Sequence, residues 1–350
     1  MEFLGEYGLF LAKAVTVLVV VLLTIAAVAS ASSRAQGDKK ARLKVEKLND
    51  EYEDHKSTLE QEILTREQLK ERDKEEKKRL KSEKKAAGKG KSIAKPKPRV
   101  YILNFDGDIK ASAVDTFRDS VTALLQVADA QLDEVVVRLE SGGGMVHSYG
   151  LAAAQLDRIK KAGLNLTVAV DKVAASGGYM MACVADKIIA SPFAIVGSIG
   201  VVAQMPNFHR LLQKNDIDYE VLTAGEYKRT LTLFGENTEK GREKFRRDLE
   251  DTHVLFKHYV AERRPQVDIE KVANGDIWFG TKALEEKLVD EIMTSDEYIS
   301  NRVQNVDVYE IEFKEKKSIA DKLGFAVSSG IERALGKYIS ETESTKGMRA

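Results

Sequence analysis

The chain has 350 residues, 43% of them hydrophobic, with 55 basic against 55 acidic side chains and a single cysteine. That is enough apolar material for one sizeable core plus extras, and the lone Cys183 excludes an intrachain disulfide. No CxxC pair, HExxH or GxxxxGK(S/T) occurs, so zinc-protease and P-loop chemistry lack their parts, and no metal or cofactor is expected.

Charge is unevenly spread along this neutral chain. Residues 34–99 carry 22 Lys and Arg against 14 Asp and Glu, whereas residues 100–350 carry 32 against 39. A basic segment beside an acidic domain suits a membrane-proximal tether, and no nucleic-acid partner is expected.

Leu9 to Ala29 is a run of 21 residues broken only by Lys13. About 20 apolar residues cross a bilayer as a helix, so residues 9–29 are long enough to span. Two readings compete. As an anchor, the run has Glu2 and Glu6 before it and Arg34, Lys39, Lys40 and Arg42 after it, which places the rest of the chain in the cytoplasm. As a signal sequence, it offers an A-x-A site at Ala27-Val28-Ala29 and exports the rest. The length of the run and its non-basic start favour an uncleaved anchor over residues 1–33, and the sequence leaves the side of the membrane occupied by the catalytic domain open.

Residues 38–91 are densely charged, with sparse apolar positions such as Leu43, Leu48, Tyr52, Leu59 and Ile63. Arg66 and the Lys77-Lys78-Arg79 run interrupt any heptad, so a solvated helix is expected rather than a stable coiled coil. Gly88-Lys89-Gly90 and Pro96-Lys97-Pro98 mark a linker that closes a stalk over residues 34–98.

From Val100 the pattern becomes α/β. Strand candidates recur at 100–105, 134–139, 166–170, 186–190, 195–203 and 219–222, with helical patterns at 113–128, 147–162 and 178–185. Such alternation implies a largely parallel sheet with crossover helices. A long helix over 238–264 follows, then Ile269 to Val272 and Gly280 to Leu288. A catalytic domain is expected over 99–305. The remaining 306–350 holds a strand at Tyr309 to Phe313 and a one-faced helical pattern over 319–339.

The informative stretch is Val173-Ala174-Ala175-Ser176-Gly177-Gly178-Tyr179. Ser176 falls where a buried strand turns into a helix, among residues with almost no side chain, so a substrate backbone can approach its hydroxyl. The helix behind it would offer free N–H groups to an anion. That setting suits a nucleophile, and it equally suits a serine N-cap on an ordinary helix. Ala174 keeps it from being a strict G-x-S-x-G elbow.

Two glycine features flank it. Ser141-Gly142-Gly143-Gly144 ends a strand in a turn that can present main-chain N–H groups; losing one oxyanion donor costs about 100- to 1000-fold in rate. Gly225-Glu226-Tyr227-Lys228 carries a lysine, which serves as a general base when burial lowers its pKa from about 10.4. A solvated surface charge is the ordinary fate of such a lysine. His147, just after the glycine turn, and His209 stand as rival bases, whereas His55 lies in the stalk and His253 and His258 in a long polar helix.

The run from about Arg99 to Ile292 resembles the serine peptidases of the signal peptide peptidase A family. The matching residues are Ala174 to Tyr179, Val196-Gly197-Ser198-Ile199-Gly200, Gly225 to Lys228, Trp278-Phe279-Gly280, Ala283 and Leu288-Val289-Asp290. The resemblance implies that Ser176 is the nucleophile and Lys228 the general base. It further implies that Ser198 orients the lysine and that main-chain N–H groups near Gly143 and Gly177 form the oxyanion hole. The implied fold is the ClpP/crotonase-like α/β superfold, assembled as a homo-oligomer. The implied setting is a single-pass protein of the bacterial inner membrane, cleaving signal-peptide-like or unfolded hydrophobic peptides and membrane-protein substrates. Two departures stand out. Gly142 replaces the family's proline and loosens the oxyanion loop, and Lys287 replaces a glycine before Leu288.

Two alternatives remain beside this serine endopeptidase. One is a catalytically silent membrane scaffold of the same fold; the other is a Ser–His peptidase with His147 as base.

Overall fold

A computed structural model describes residues 42–88 and 97–314, together with Lys13, Val15, Thr16 and Val20. The rest of the Leu9–Ala29 run and the 319–339 helical pattern lie outside the described residues. Among the described residues no helix is long and apolar enough to cross a membrane.

The charged segment opens on the strand β1 (Arg42–Lys47) and continues as the helices α1 (Leu48–Ile63) and α2 (Arg66–Gly88). The expected single helix is therefore divided. Alternation in Arg42-Leu43-Lys44-Val45 favours a strand. At the break before α2, Thr65 and Gln68 form a capping box: Thr65 N–H donates to Gln68 Oε1 at 2.9 Å, and Gln68 N–H donates to Thr65 Oγ1 at 3.4 Å. Arg72 reaches back to Glu53 and Glu60, pairing the two helices.

The remaining elements are β2 (Arg99–Gly107), α3 (Val114–Leu124), β3 (Glu134–Ser141), α4 (Val146–Lys161), β4 (Asn165–Val170), β5 (Val173–Ala175) and α5 (Gly177–Ala182). They are followed by β6 (Lys187–Ala190), β7 (Ile195–Gly197), α6 (His209–Lys214), α7 (Glu239–Arg263) and α8 (Ile269–Val272). The last are β8 (Ile277–Phe279), α9 (Gly280–Glu285), β9 (Glu291–Ile292), α10 (Ser295–Val303) and β10 (Asp307–Lys314).

The sheet runs β1-β10-β2-β3-β4-β6-β9, and the pairs from β10 to β9 are parallel. Its central strands are apolar on both faces because helices cover both sides. Leu103, Phe105, Val135, Val137 and Leu139 pack with α3 and α4, while Ile102, Val136, Ala169 and Ile189 pack with Tyr298, Ile299 and Leu48. That α/β architecture agrees with the alternation in the sequence.

At the carboxyl end of β3 the sheet forks. Glu134 to Arg138 pair with β4, but Ser141 pairs with Ala174 of β5. β5 then pairs with β7, and β7 with the antiparallel β8. The fork leaves a crevice beyond the strand ends, the usual place for a site in an α/β sheet.

Two expected strands differ. The 195–203 run stops at Gly197, because Gly197 and Ser198 both take positive φ (90° and 50°). Residues 219–222 form no strand; Tyr219 instead packs on Phe234, with ring centroids 5.6 Å apart.

One compact unit extends from Leu43 to Phe313. Leu48 and Tyr52 pack into the second core, and Asn49 Nδ2 donates to the carbonyls of Val303 and Val306 at 3.0 and 2.9 Å.

Candidate active site

β5 ends at Ala175, α5 begins at Gly177, and Ser176 between them has φ 53° and ψ −118°. A non-glycine residue there is held against its own preference. Two backbone bonds hold it: Ser176 N–H donates to Gly197 O at 2.8 Å, and Met180 N–H donates to Ser176 O at 2.9 Å. Its side chain makes no capping hydrogen bond to α5, so the plain N-cap reading does not describe it.

The glycine turn packs directly on this strained residue. Gly143 has φ 86°, and a Cβ placed on it would lie 2.6 Å from Gly177 N and 2.7 Å from Ser176 Cβ. Only glycine permits that approach. Gly177 is equally confined, since its Cβ would fall 2.4 Å from Tyr149 Cγ. Gly143 N–H, one of the two expected oxyanion donors, donates to Ser141 Oγ at 3.1 Å.

Ser176 opens onto two hollows. One, of about 190 Å³, is apolar and lined by Gly150, Met180, Leu255, Phe256 and Tyr259 among others. The second, of about 650 Å³, is more polar and brings Gly143 and Ser176 together with Ser198, His253 and Asn274. Ser198 N–H donates to Asp276 O at 2.7 Å, which fixes the turn after β7.

Four of the five expected site residues (Ser176, Gly143, Gly177 and Ser198) thus gather at one crevice. Lys228 does not join them. It is exposed, its N–H donates to Gly225 O at 3.2 Å, and it lines neither hollow. The surrounding segment exposes Val202, Phe208, Leu211, Tyr219, Leu222 and Tyr227. His147 is exposed in the first turn of α4 and lines neither hollow.

His253 is the site residue that reading the sequence as a polar helix passes over. Its Nε2 donates to Ile199 O at 3.2 Å. The signal was present: His253, Phe256 and Val260 share one face of α7 at helical spacing, and the latter two are buried. Cys183 is fully buried in the turn after α5, and burial pushes its thiol up to about 12, so it is inert as a nucleophile. Among the described residues no His, Cys, Asp and Glu cluster fit for a metal ion occurs.

Comparison with known proteins places this geometry in context. Residues 2–156 match the family model for the N-terminal part of peptidase family S49, and residues 158–309 match the model for peptidase family S49 itself. A probable protease SohB of Haemophilus influenzae is 47% identical over 335 residues, 92% of each chain. A probable protease SohB of Buchnera aphidicola subsp. Acyrthosiphon pisum is 51% identical over 241 residues, 69% of this chain and 71% of that one. Among solved structures, the 1510-N membrane-bound stomatin-specific protease, bound to a substrate peptide, superposes with a TM-score of 0.39 at 14% identity. It covers 67% of this chain and 99% of its own. The family models and the near-full-length relatives settle the matter: the chain belongs to peptidase family S49 and is a peptidase.

Proposed function

We infer that the chain is a membrane-anchored serine endopeptidase of ClpP/crotonase-like fold, with Ser176 as nucleophile and Lys228 as general base. The observation that carries the reading is Ser176 itself: a strained serine, uncommitted to its helix, at the mouth of an apolar hollow. In the first step Lys228 Nζ takes the Ser176 proton as Oγ attacks the peptide carbonyl. The tetrahedral oxyanion is met by main-chain N–H groups at Gly143 and Gly177. Collapse breaks the C–N bond, the lysine returns its proton to the leaving amine, and water then hydrolyses the acyl-enzyme by the same route. Ser198 orients the lysine.

Within one chain Lys228 is solvated and apart from the crevice, so this chemistry needs a covering surface. Assembly of several copies through the exposed apolar side chains between Val202 and Phe234 would supply it. The hollow beside Ser176 favours apolar side chains, which suits hydrophobic peptides released in or near a membrane. Residues 9–29 supply the anchor in the bacterial inner membrane.

The test is labelling of the full-length assembled protein with a fluorophosphonate, alongside hydrolysis of an apolar peptide. Wild type should label and turn over, and Ser176→Ala should do neither while remaining assembled. A Ser176→Ala protein with near-normal turnover would sink the assignment, and an unlabelled, inactive wild type would favour the silent scaffold.

A further inference from the structure

Gly142 stands where rigidity is wanted, yet the loop it belongs to is tied down by a side-chain network with no counterpart in the catalytic scheme above. Tyr149, in the first turn of α4, is fully buried, and Ser141 is 2% exposed. Tyr149 Oη donates to Asp108 O at 2.7 Å and meets Ser141 Oγ at 2.5 Å. Ser141 Oγ also lies 3.1 Å from Gly107 O and accepts the Gly143 N–H at 3.1 Å. Two hydroxyl protons therefore serve three contacts, and in every arrangement Ser141 Oγ keeps a lone pair for Gly143. The turn after β2 braces the same loop a second time, through Met145 N–H donating to Ile109 O at 2.8 Å.

The other edge of Tyr149 lies against Gly177, whose added Cβ would fall 2.4 to 2.8 Å from its ring and Cβ. One side chain thus touches both expected oxyanion donors, Gly177 through its ring and Gly143 through the Ser141 hydroxyl. We propose that Tyr149 and Ser141 are positioning residues that set the two oxyanion donors at a fixed separation, replacing the rigidity that a proline at position 142 would give. The inference rests on the assignment of Ser176, Gly143 and Gly177 made above. Holding the Gly143 N–H on a neutral hydroxyl at 3.1 Å keeps it in place at little cost. A charged oxygen then outcompetes the hydroxyl for that donor. The benefit appears only in the transition state, because the ground-state carbonyl carries no such charge.

The experiment uses full-length assembled enzyme and one apolar peptide, with Tyr149→Phe, Ser141→Ala, the double variant and Ser141→Thr, beside Ser176→Ala. Tyr149→Phe keeps the ring against Gly177 and removes only the hydroxyl. Each single variant should lower kcat about 10- to 100-fold with KM changed less than about threefold. Each should weaken inhibition by a peptide aldehyde by the same factor as kcat/KM. The double variant should fall no further than the worse single, since both act through one path, and Ser141→Thr should retain most activity. A structural role alone would lower Tm and yield without moving the aldehyde constant in the folded fraction. Unchanged kcat and aldehyde affinity in Tyr149→Phe, with Ser176→Ala inactive, overturns the positioning role alone. So does a rise in activity for Ser141→Ala, which would mean that Ser141 withholds the Gly143 donor. An active Ser176→Ala enzyme overturns both this inference and the nucleophile it serves.

Discussion

The main-chain N–H of Ser176 donates to the carbonyl of Gly197 at 2.8 Å, and the register that makes this bond sets Ala175 opposite Gly197. The residues just after that pair, Ser176 and Ser198, both have positive φ, 53° and 50°. Two strained serines, each just past the end of one of two adjacent parallel strands, thus open into one crevice. Strain of this kind persists where the surroundings over-determine it, and it concentrates at functional sites.

That relationship yields a split between stability and turnover at Ser198. Replacing it with glycine relieves a left-handed backbone, a gain of up to about 1 kcal/mol. The same change deletes the hydroxyl assigned to orient Lys228. Ser198→Gly should therefore raise Tm yet lower kcat, whereas Ser198→Ala should lower kcat without the gain. Thermal denaturation beside steady-state kinetics reads both, and full activity in Ser198→Ala would remove the orienting role.

Lys228 makes a sharper prediction, because one chain leaves it exposed. Lys228→Arg should be almost as inactive as Lys228→Ala, since a guanidinium keeps its proton at any working pH. An ordinary surface lysine would accept arginine freely. Mixing Ser176→Ala protein with Lys228→Ala protein tests where the base comes from. If the lysine of one copy serves the serine of another, co-assembled mixtures should regain part of the activity that neither variant has alone. His147→Ala, altering an exposed residue outside both hollows, should cost little.

The apolar hollow can be narrowed without disturbing the fold. Gly150 lines it, and a Cβ there would meet no atom within 4 Å. Within α4 glycine is also a weak helix former, by about 1 kcal/mol relative to alanine. Gly150→Leu should hold or raise Tm while filling the space. The ratio of kcat/KM for a leucine-bearing peptide over its alanine analogue, varied at the residue before the scissile bond, should fall about 10- to 100-fold. An unchanged ratio would mean that substrate side chains bind elsewhere.

Much of this was legible locally. Alternation placed the sheet and its helices, and the small residues around Ser176 marked a strand-to-helix turn, because both signals lie within a few residues. What the sequence hid depends on distant partners. Tyr149 reads as one aromatic among several until folding sets its ring on Gly177 and its hydroxyl on Ser141. Tyr219 to Leu222 has the composition of a strand but pairs with no strand among the described residues. Lys287, in place of the family's glycine, sits at φ 63° after α9, where a left-handed cap is needed. That substitution reads plainly once the backbone is known.

The stalk shows the same dependence most clearly, and it carries the last prediction. Nothing in Asn49 stands out among its charged neighbours, yet its side chain closes a three-way clamp. Nδ2 donates to Val303 O and Val306 O at 3.0 and 2.9 Å, and Oδ1 accepts Val308 N–H at 2.8 Å. The clamp joins the start of α1 to the turn between α10 and β10, beside buried Leu48. Asn49→Ala leaves those three main-chain groups without their partner, a loss of about 1–3 kcal/mol. Asn49→Asp keeps the acceptor for Val308 and discards both donors, so it should fall by a similar amount. Tm should drop in both variants, and residues 42–63 should become the first region cleaved by added protease. Peptide turnover per folded molecule should stay near wild type, since Asn49 lines neither hollow at Ser176. If Asn49→Ala left both Tm and the cleavage pattern unchanged, the stalk would be held by Leu48 and Tyr52 packing, the β1–β10 pairing and the Lys47–Asp307 ion pair instead.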